Sequence, residues 1–305
     1  MKSATQPDHA QLALGTTPAC HRSRRLRAAW LAVLAATVPA AEAQTQASYQ
    51  DPARPFGLSP VGPVMAAGSD ETSASFQLND LPNLLKFVNT NLSESKALTD
   101  VSAVALDPQA LTLGQESTVR VYFLSEGAGY RNTLGYTTEN ITSHDTSEAQ
   151  LIFPDASSDN VYSSNLHKLT SKSLRNNDTP LVPGDFVDLG TIGSATLIDF
   201  FLIADGANYG GNIYGADSSS NPDLIQHVVA FALEGSPYLL MGFEDMYNGG
   251  DLDFNDLVIA IDIGAANVAR LANPEPAFWL MMAALAGAGW WFYRRNPTLG
   301  SATAA

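Results

Sequence analysis

The stretch that decides the fold class is YLLMGFEDMYNGGDLDFNDLVIAIDI, residues 238–263. Two apolar runs of strand length, Tyr238–Phe243 and Asp256–Ile263, flank an acidic segment that contains the turn Asn248-Gly249-Gly250. Asn and Gly residues between two such runs are typical of β-hairpins, because they adopt positive φ at little cost. The second run predicts an inward face of Leu257, Ile259, Ile261 and Ile263, and an outward face of Val258, Ala260 and Asp262. The sequence therefore predicts an antiparallel hairpin.

Short apolar runs of the same kind recur along the chain from Val101 onward. They are Ser117–Leu124, Gln150–Phe153, Asp185–Leu189, Ala195–Ala204 and His227–Leu233. A single short helix is indicated from Asp80 to Leu92, where Pro82 sits in the first turn and apolar residues recur at helical spacing. Many short strands with frequent turns predict a mainly β protein, an antiparallel β-sandwich or jelly-roll-like domain with one short N-terminal helix.

The overall charge excludes several classes of partner and chemistry. The chain has 16 Lys and Arg residues against 31 Asp and Glu residues, which gives a formal net charge of −15. A protein this acidic does not bind nucleic acid or anionic lipid by charge attraction, but it attracts divalent cations. Cys20 is the only cysteine, so the chain beyond it has no disulfide, zinc–thiolate site or catalytic thiol.

The acidic segment of the predicted hairpin is the best candidate for a binding site. Its oxygen-bearing side chains, which we predict to be metal ligands, are Glu244, Asp245, Asp251, Asp253, Asn255 and Asp256. Carboxylates packed this closely repel one another unless a cation neutralises them. Calcium accepts six to eight oxygen ligands, whereas zinc or copper prefers imidazole or thiolate groups that this segment lacks. The sequence therefore predicts a calcium site, and a solvated acidic hairpin without an ion is the alternative.

The spacing Asp251-x-Asp253-x-Asn255 copies the first half of an EF-hand loop, but the rest of that pattern is missing. The sixth position is Asp256, where an EF-hand needs glycine. The twelfth position, Asp262, lies along the predicted strand, roughly 20 Å beyond Asp256 at about 3.3 Å per residue. A hairpin loop is therefore favoured over an EF-hand, with Asp256 either a ligand or a cap at the start of its strand.

The N-terminal part of the chain predicts export. Four arginines within Arg22–Arg27 precede the apolar run 28–36, and Ala41-Glu42-Ala43 fits the small-x-small pattern of signal peptidase. Residues 1–43 are therefore predicted to be a signal peptide. Residues 44–75, rich in Gln, Ser, Pro, Gly and Ala, are predicted to be a disordered leader. A short helical segment at 76–100 and the β domain at 101–265 follow.

The C-terminal part predicts a membrane-spanning helix. Pro274, Glu275 and Pro276 precede an uncharged apolar run at 277–293, and Arg294 and Arg295 close it. Such a helix is roughly 25 Å long, adequate for a slightly thin bilayer. The arginine pair is expected to stay in the cytoplasm, which places residues 44–273 outside the inner membrane.

This order of Pro-Glu-Pro, hydrophobic helix and basic pair, at 274–296, resembles the PEP-CTERM sorting signal of Gram-negative bacteria. The resemblance implies that an exosortase recognises the tripeptide and removes the helix. The protein would then be anchored transiently in the inner membrane and released to the cell surface or extracellular matrix. Ten residues follow the arginines, more than such signals usually carry. The alternative is a simple membrane-anchored periplasmic domain that keeps its helix.

The segment from Gly242 to Val258 also resembles the signature of the DUF4114 domain. The stretch 119–136 and Asn221-Pro222-Asp223 followed by His227 are similar to it too, so that the resemblance spans about 119–263. It implies a β-rich extracellular module of uncharacterised function, and it supplies no reaction. His227 is interpreted as a satisfied sheet histidine.

These features together predict an exported, non-enzymatic surface or matrix protein with a calcium-binding loop. Its expected partners are signal peptidase and exosortase in transit, with exopolysaccharide or another surface polymer as a further candidate. The alternative is a carbohydrate-binding or glycan-hydrolysing surface protein. In that case Glu126 and Asp205 would be candidate paired carboxylates, and Tyr209, Tyr214 and Tyr247 would be candidate stacking residues.

Overall fold

The structure is a computed structural model that describes residues 50, 54–93, 95–98, 111–138, 148–159, 162–163, 168–169, 175–233 and 235–272. The predicted signal peptide, the Pro-Glu-Pro tripeptide, the predicted membrane helix and the arginine pair lie outside these residues. Within them, no helix has the length and apolar character needed to cross a membrane.

The regular secondary structure of the described residues is mainly β. The three helices are α1 (Glu71–Asn79), α2 (Leu81–Asn91) and α3 (Ala265–Ala272). The strands are β1 (Ser117–Ser125), β2 (Thr133–Thr137), β3 (Gln150–Phe153), β4 (Tyr162–Ser163), β5 (Lys168–Leu169), β6 (Phe186–Ile192), β7 (Asp199–Ile203), β8 (Ile213–Gly215), β9 (Val228–Ala232), β10 (Tyr238–Phe243) and β11 (Leu257–Asp262).

Two antiparallel sheets form the body. One has five strands in the order β6-β1-β11-β10-β9, and the other has four in the order β3-β2-β7-β8, while β4 and β5 pair separately. The predicted hairpin is confirmed, since Tyr238 lies opposite Asp262 and Phe243 lies opposite Leu257. Asp262 is therefore at the far end of the strand from the acidic loop, as its spacing predicts. The prediction of a mainly β, antiparallel fold is confirmed.

A shared apolar core joins the two sheets. The predicted inward residues of β11 all belong to it: Leu257, Ile259, Ile261 and Ile263. The opposite face of β11, predicted to point outward, is instead buried at Val258 and Ala260. These side chains pack in a second cluster with the apolar residues of α1 and α2. Helix α2 covers the sheet because its apolar residues recur at helical spacing: Leu81, Leu84, Leu85 and Val88.

Residues 54–75 differ from the disordered leader that their composition predicts. Val64 is buried in the main core, and Met65 pairs with Phe186 through backbone hydrogen bonds in both directions, of 2.8 and 3.0 Å. Helix α1 then begins behind Asp70, whose carboxylate accepts a hydrogen bond from the Ser73 amide at 2.6 Å. Single apolar residues inserted at the edge of an existing sheet are enough to order this segment, so its mean composition hides its structure.

Asp185 fastens this segment to the body. Its buried carboxylate accepts hydrogen bonds from the amides of Ala67 at 2.8 Å and Val182 at 3.0 Å, and it pairs with Arg175 at 2.5 Å. We expect Asp185→Ala to lower the free energy of unfolding by about 3 kcal/mol, because it leaves Arg175 and two amides without their acceptor. Urea denaturation of the full-length chain measures the loss.

Asp188→Ala is the matched control for this prediction. Asp188 pairs with Arg120, but its side chain is about half exposed and Arg120 also pairs with Asp70. Its removal should cost less than about 1 kcal/mol. Equal losses in the two variants would contradict the role assigned to Asp185.

Candidate metal centre

The acidic loop, residues 244–256, joins β10 to β11. Asn248, Gly249 and Gly250 all have positive φ, of 66°, 77° and 51°, and form the turn that the sequence predicts. Leu252 and Phe254 also have positive φ, of 61° and 56°. Such residues each cost roughly 1 kcal/mol or more in this conformation, so the surrounding contacts hold the loop in a strained shape.

Three of the predicted ligands converge. One carboxylate oxygen from each of Glu244, Asp251 and Asp253 lies within 4.8 Å of the other two. Glu244 and Asp253 are each 1% exposed, whereas Asp251 is exposed to solvent. Oxygens on opposite sides of a calcium ion lie about 4.6–5.2 Å apart, since each Ca–O distance is about 2.3–2.6 Å. The spacing of the three carboxylates therefore fits a single calcium ion.

Within the described part of the chain, Glu244 has a buried carboxylate oxygen without a hydrogen-bond partner, which distinguishes this site from an acidic cluster alone. Its Oε1 accepts a hydrogen bond from the Phe254 amide at 2.8 Å, while its buried Oε2 has no hydrogen-bond partner among the described residues. Oε2 faces Gly250, the neighbour of Asp251, so closely that a Cβ atom at Gly250 would lie 2.9 Å from it. Burial and the charges of Asp253 and Asp251 raise the pKa of Glu244 to about 7. A bound cation would offset the cost of ionising the Glu244 carboxyl in this buried position.

Asp253 is held in place by backbone groups from a distant part of the chain. Its Oδ2 accepts hydrogen bonds from the Ser95 amide and from the Asn255 side-chain amide, both at 2.7 Å. The Leu98 amide donates to the Leu252 carbonyl at 2.8 Å, which closes the same segment on the loop. Asn255, predicted as a ligand, therefore orients Asp253. Ser95 could not be found from the sequence, since it is 158 residues away and the bond that it donates to Asp253 comes from its backbone amide.

Asp245 and Asp256 lie outside the group of three and form a pair of their own. The Asp245 amide donates to Asp256 Oδ2 at 2.8 Å, and the Asn132 side-chain amide donates to Asp245 Oδ2 at 2.7 Å. Burial raises the pKa of both carboxyls, and together with the charge of Asp245 it raises that of Asp256 to about 8. Both carboxyls are therefore harder to ionise than exposed ones. Asp256 ties the two ends of the loop together, which is closer to the capping role than to a ligand.

His227 contacts the acidic loop through both its ring and its backbone. Its Nδ1 lies 3.0 Å from the Glu244 carbonyl oxygen and its Nε2 lies 3.0 Å from Asp223 Oδ2, and the ring stacks on Tyr214 at 3.7 Å. The Glu244 amide in turn donates to the His227 carbonyl at 2.9 Å. Both ring nitrogens thus have partners, as expected for a satisfied histidine. Tyr214 is fully buried, which removes it from the candidate stacking residues.

The carboxylates considered for glycan hydrolysis are engaged elsewhere. Glu126 accepts a hydrogen bond from the Ser158 amide at 3.0 Å, and burial raises its pKa to about 8. Asp205 accepts hydrogen bonds from the Arg131 amide at 3.2 Å and the Asn208 side chain at 2.8 Å. Neither belongs to the group of three that could hold an ion in the described residues.

A DUF4114 domain is found at residues 192–264, which match the family model described as Domain of unknown function (DUF4114). The match extends from the end of β6 to just beyond β11, and it includes the whole acidic loop. No curated protein and no solved structure matches the chain.

Proposed function

We propose that this chain is an exported, non-enzymatic protein of the cell surface or extracellular matrix whose acidic loop binds calcium. The observation that carries the metal proposal is the buried, unpartnered Oε2 of Glu244, in a residue that belongs to the group of three carboxylates with Asp251 and Asp253. A buried hydrogen-bond acceptor without a donor lowers the stability of the folded state. A cation would remove that cost, whereas a proton would remove it only in part. All three ligands are oxygens, the donors that calcium prefers.

Calcium would act as a structural element of a jelly-roll-like β-sandwich. The three ligands come from both arms of the loop, so one ion would link the end of β10 to the residues that precede β11. It would also fix Asp253 against Ser95 and thereby the segment that follows α2. The proposed role is to stiffen a module outside the cell, where calcium is abundant, and no described residue needs to act on a substrate.

Export and sorting are supported by the two ends of the sequence. The basic and apolar runs before residue 43 would be read by signal peptidase, and Pro274, Glu275 and Pro276 with Arg294 and Arg295 would be read by exosortase. The apolar run between them would hold the chain in the inner membrane of a Gram-negative cell until it is processed.

Calcium titration tests the metal site. We expect isothermal titration calorimetry of the full-length chain to show one ion per chain, with a dissociation constant in the range of about 10⁻⁶–10⁻⁴ M. Asp251→Asn and Asp253→Asn should each weaken binding at least about tenfold, because each removes one charged ligand. Asp178→Asn is the matched control, since Asp178 is exposed and outside the loop. Binding that survives both loop variants would contradict the assignment.

Mass spectrometry of the mature protein tests the sorting signal. In the native cell, we expect the exported species to lack the residues beyond the Pro-Glu-Pro tripeptide, and in an exosortase-deletion strain to retain them and remain with the membrane fraction. Replacing Pro274 and Pro276 by alanine should have the same effect as the deletion. A mature protein that keeps its C-terminal apolar run would instead identify a membrane-anchored periplasmic domain.

A further inference from the structure

Four loops meet at the end of the sheets that carries the acidic loop, and we call this surface the loop face. They are residues 126–132, 204–212, 216–227 and 244–256. Asn132 joins three of them, since its side chain donates to Asp245 and accepts from the Asp205 amide at 3.0 Å. Asp223 joins the remaining loop by accepting a hydrogen bond from the Asn248 amide at 2.7 Å. The loop face is therefore one connected surface.

The large apolar side chains that the described residues expose are concentrated on this face. Six of the eight belong to it: Tyr130, Tyr209, Leu224, Met246, Tyr247 and Leu252. Three of these six, Tyr209, Leu224 and Leu252, also have positive φ, of 60°, 63° and 61°. Both the exposure and the backbone conformation cost free energy, and a surface that bears both costs indicates a binding site.

The candidate ion lies at this face with one side open. Asp251 is the exposed ligand, while Glu244 and Asp253 approach from the interior. Three carboxylates do not supply the six to eight ligands that calcium takes, since Glu244 Oε1 and both oxygens of Asp253 already accept hydrogen bonds. The remaining positions are therefore available to oxygens from solvent or from a ligand. Tyr247 and Met246, both about half exposed, belong to the same loop, and Met246 lies next to Gly250, as Glu244 Oε2 does.

The charges of the chain and of the candidate ion limit the kinds of ligand that can occupy the open side of the ion. The net charge of −15 disfavours a polyanion, and a calcium ion at the centre of the face disfavours a cationic group next to it. A neutral ligand with paired hydroxyl groups avoids both penalties, because hydroxyl oxygens are good calcium ligands. The three exposed tyrosines offer flat apolar rings with a polar edge, which suit the apolar face of a sugar ring.

We propose that the loop face binds a neutral polysaccharide, with vicinal hydroxyl groups completing the calcium shell and Tyr209 and Tyr247 contacting sugar rings. This proposal rests on the calcium site put forward as the proposed function and identifies the ligand class of that site. Binding would then attach the exported protein to a carbohydrate polymer, and attachment would depend on calcium.

Affinity electrophoresis of the full-length chain tests the proposal, since the acidic protein migrates in native gels. Gels contain dextran, mannan or galactomannan, with either millimolar calcium or a chelator. We expect at least one polymer to retard the chain with calcium and not with chelator. Tyr209→Ala and Tyr247→Ala should each weaken retardation about tenfold while the calcium-induced rise in unfolding temperature is unchanged. Leu78→Ala, which removes a side chain 79% exposed on α1, is the control and should bind as the wild type does.

The outcomes separate the two proposals. A chain that gains stability with calcium but is retarded by none of the polymers overturns carbohydrate binding and leaves the metal site intact. Equal retardation in chelator overturns the role of calcium in binding. The absence of any calcium response contradicts the proposed function itself.

Discussion

We expect millimolar calcium to raise the unfolding temperature of the full-length chain by several degrees, and Glu244→Gln to abolish the rise. With a dissociation constant of about 10 µM, 1 mM calcium adds about 2.7 kcal/mol of stability. For a body of this size that corresponds to a shift of roughly 5–10 °C. The glutamine keeps an oxygen for the Phe254 amide but cannot supply the charge that the ion needs. Differential scanning calorimetry with calcium and with chelator measures both effects.

The same variant also gives a prediction for the metal-free protein. The side-chain amide that this substitution introduces carries no charge, whereas the ionised Glu244 carboxylate is repelled by the charges of Asp253 and Asp251. In chelator, Glu244→Gln should therefore unfold at a temperature equal to or above that of the wild type, although a buried residue has been changed. Asp178→Asn should behave as the wild type in both conditions. A variant that is destabilised in chelator and still responds to calcium would contradict the role of Glu244.

Stability in chelator should fall as the pH rises from about 5 to 8. The folded-state pKa values of Glu244, Asp256 and Glu126 are raised to about 7, 8 and 8, above the ordinary values of about 4 for these groups. In that window the folded chain holds protons that the unfolded chain has released. The stability that each group contributes is therefore fully present below its unfolded-state pKa. It is lost as the pH rises through the folded-state pKa. Below about pH 4 the opposite holds for Asp70 and Asp223, whose pKa values are lowered, and stability should fall again.

Calcium should largely remove the loss that Glu244 contributes, because the ion favours its ionised form. The calcium-induced rise in unfolding temperature should therefore be largest near pH 8 and small near pH 5, where protons compete with the ion. Glu126→Gln provides the control. It should flatten part of the pH dependence in chelator and leave the calcium response unchanged, because Glu126 is outside the group of three ligands. An equal calcium response at pH 5 and pH 8 would contradict this assignment.

The parts of the fold that could be predicted are those with a local periodic signal. Strands β3 and β10 match their predicted bounds, and α2 begins one residue after its predicted start, because a short apolar run or a helical stripe is visible in each. Strand β8 escapes prediction because it has three residues, and β2 because a glycine interrupts it. Helix α1 escapes it because Phe76 is its only large buried apolar residue, so that it has no stripe.

The candidate site shows the same division between local and distant information. The concentration of carboxylates in one loop is evident from the sequence, and so is the turn at Asn248. Which oxygens converge is decided by contacts that the sequence does not reveal: the Ser95 amide on Asp253, the Asn132 side chain on Asp245 and the His227 ring beneath Glu244. These contacts separate six candidate ligands into three that converge, two that are linked by a hydrogen bond from the Asp245 amide to the Asp256 carboxylate, and one that orients a neighbour.

Under the proposed function, the bond between the Ser95 amide and Asp253 would have a consequence for the protein outside the cell. The residues that follow α2 would be clasped by a carboxylate whose position depends on whether an ion is bound. A fall in ambient calcium would loosen that clasp first and expose the connecting chain to extracellular proteases while both sheets stay intact. The contact would thus determine where proteases first cut the chain.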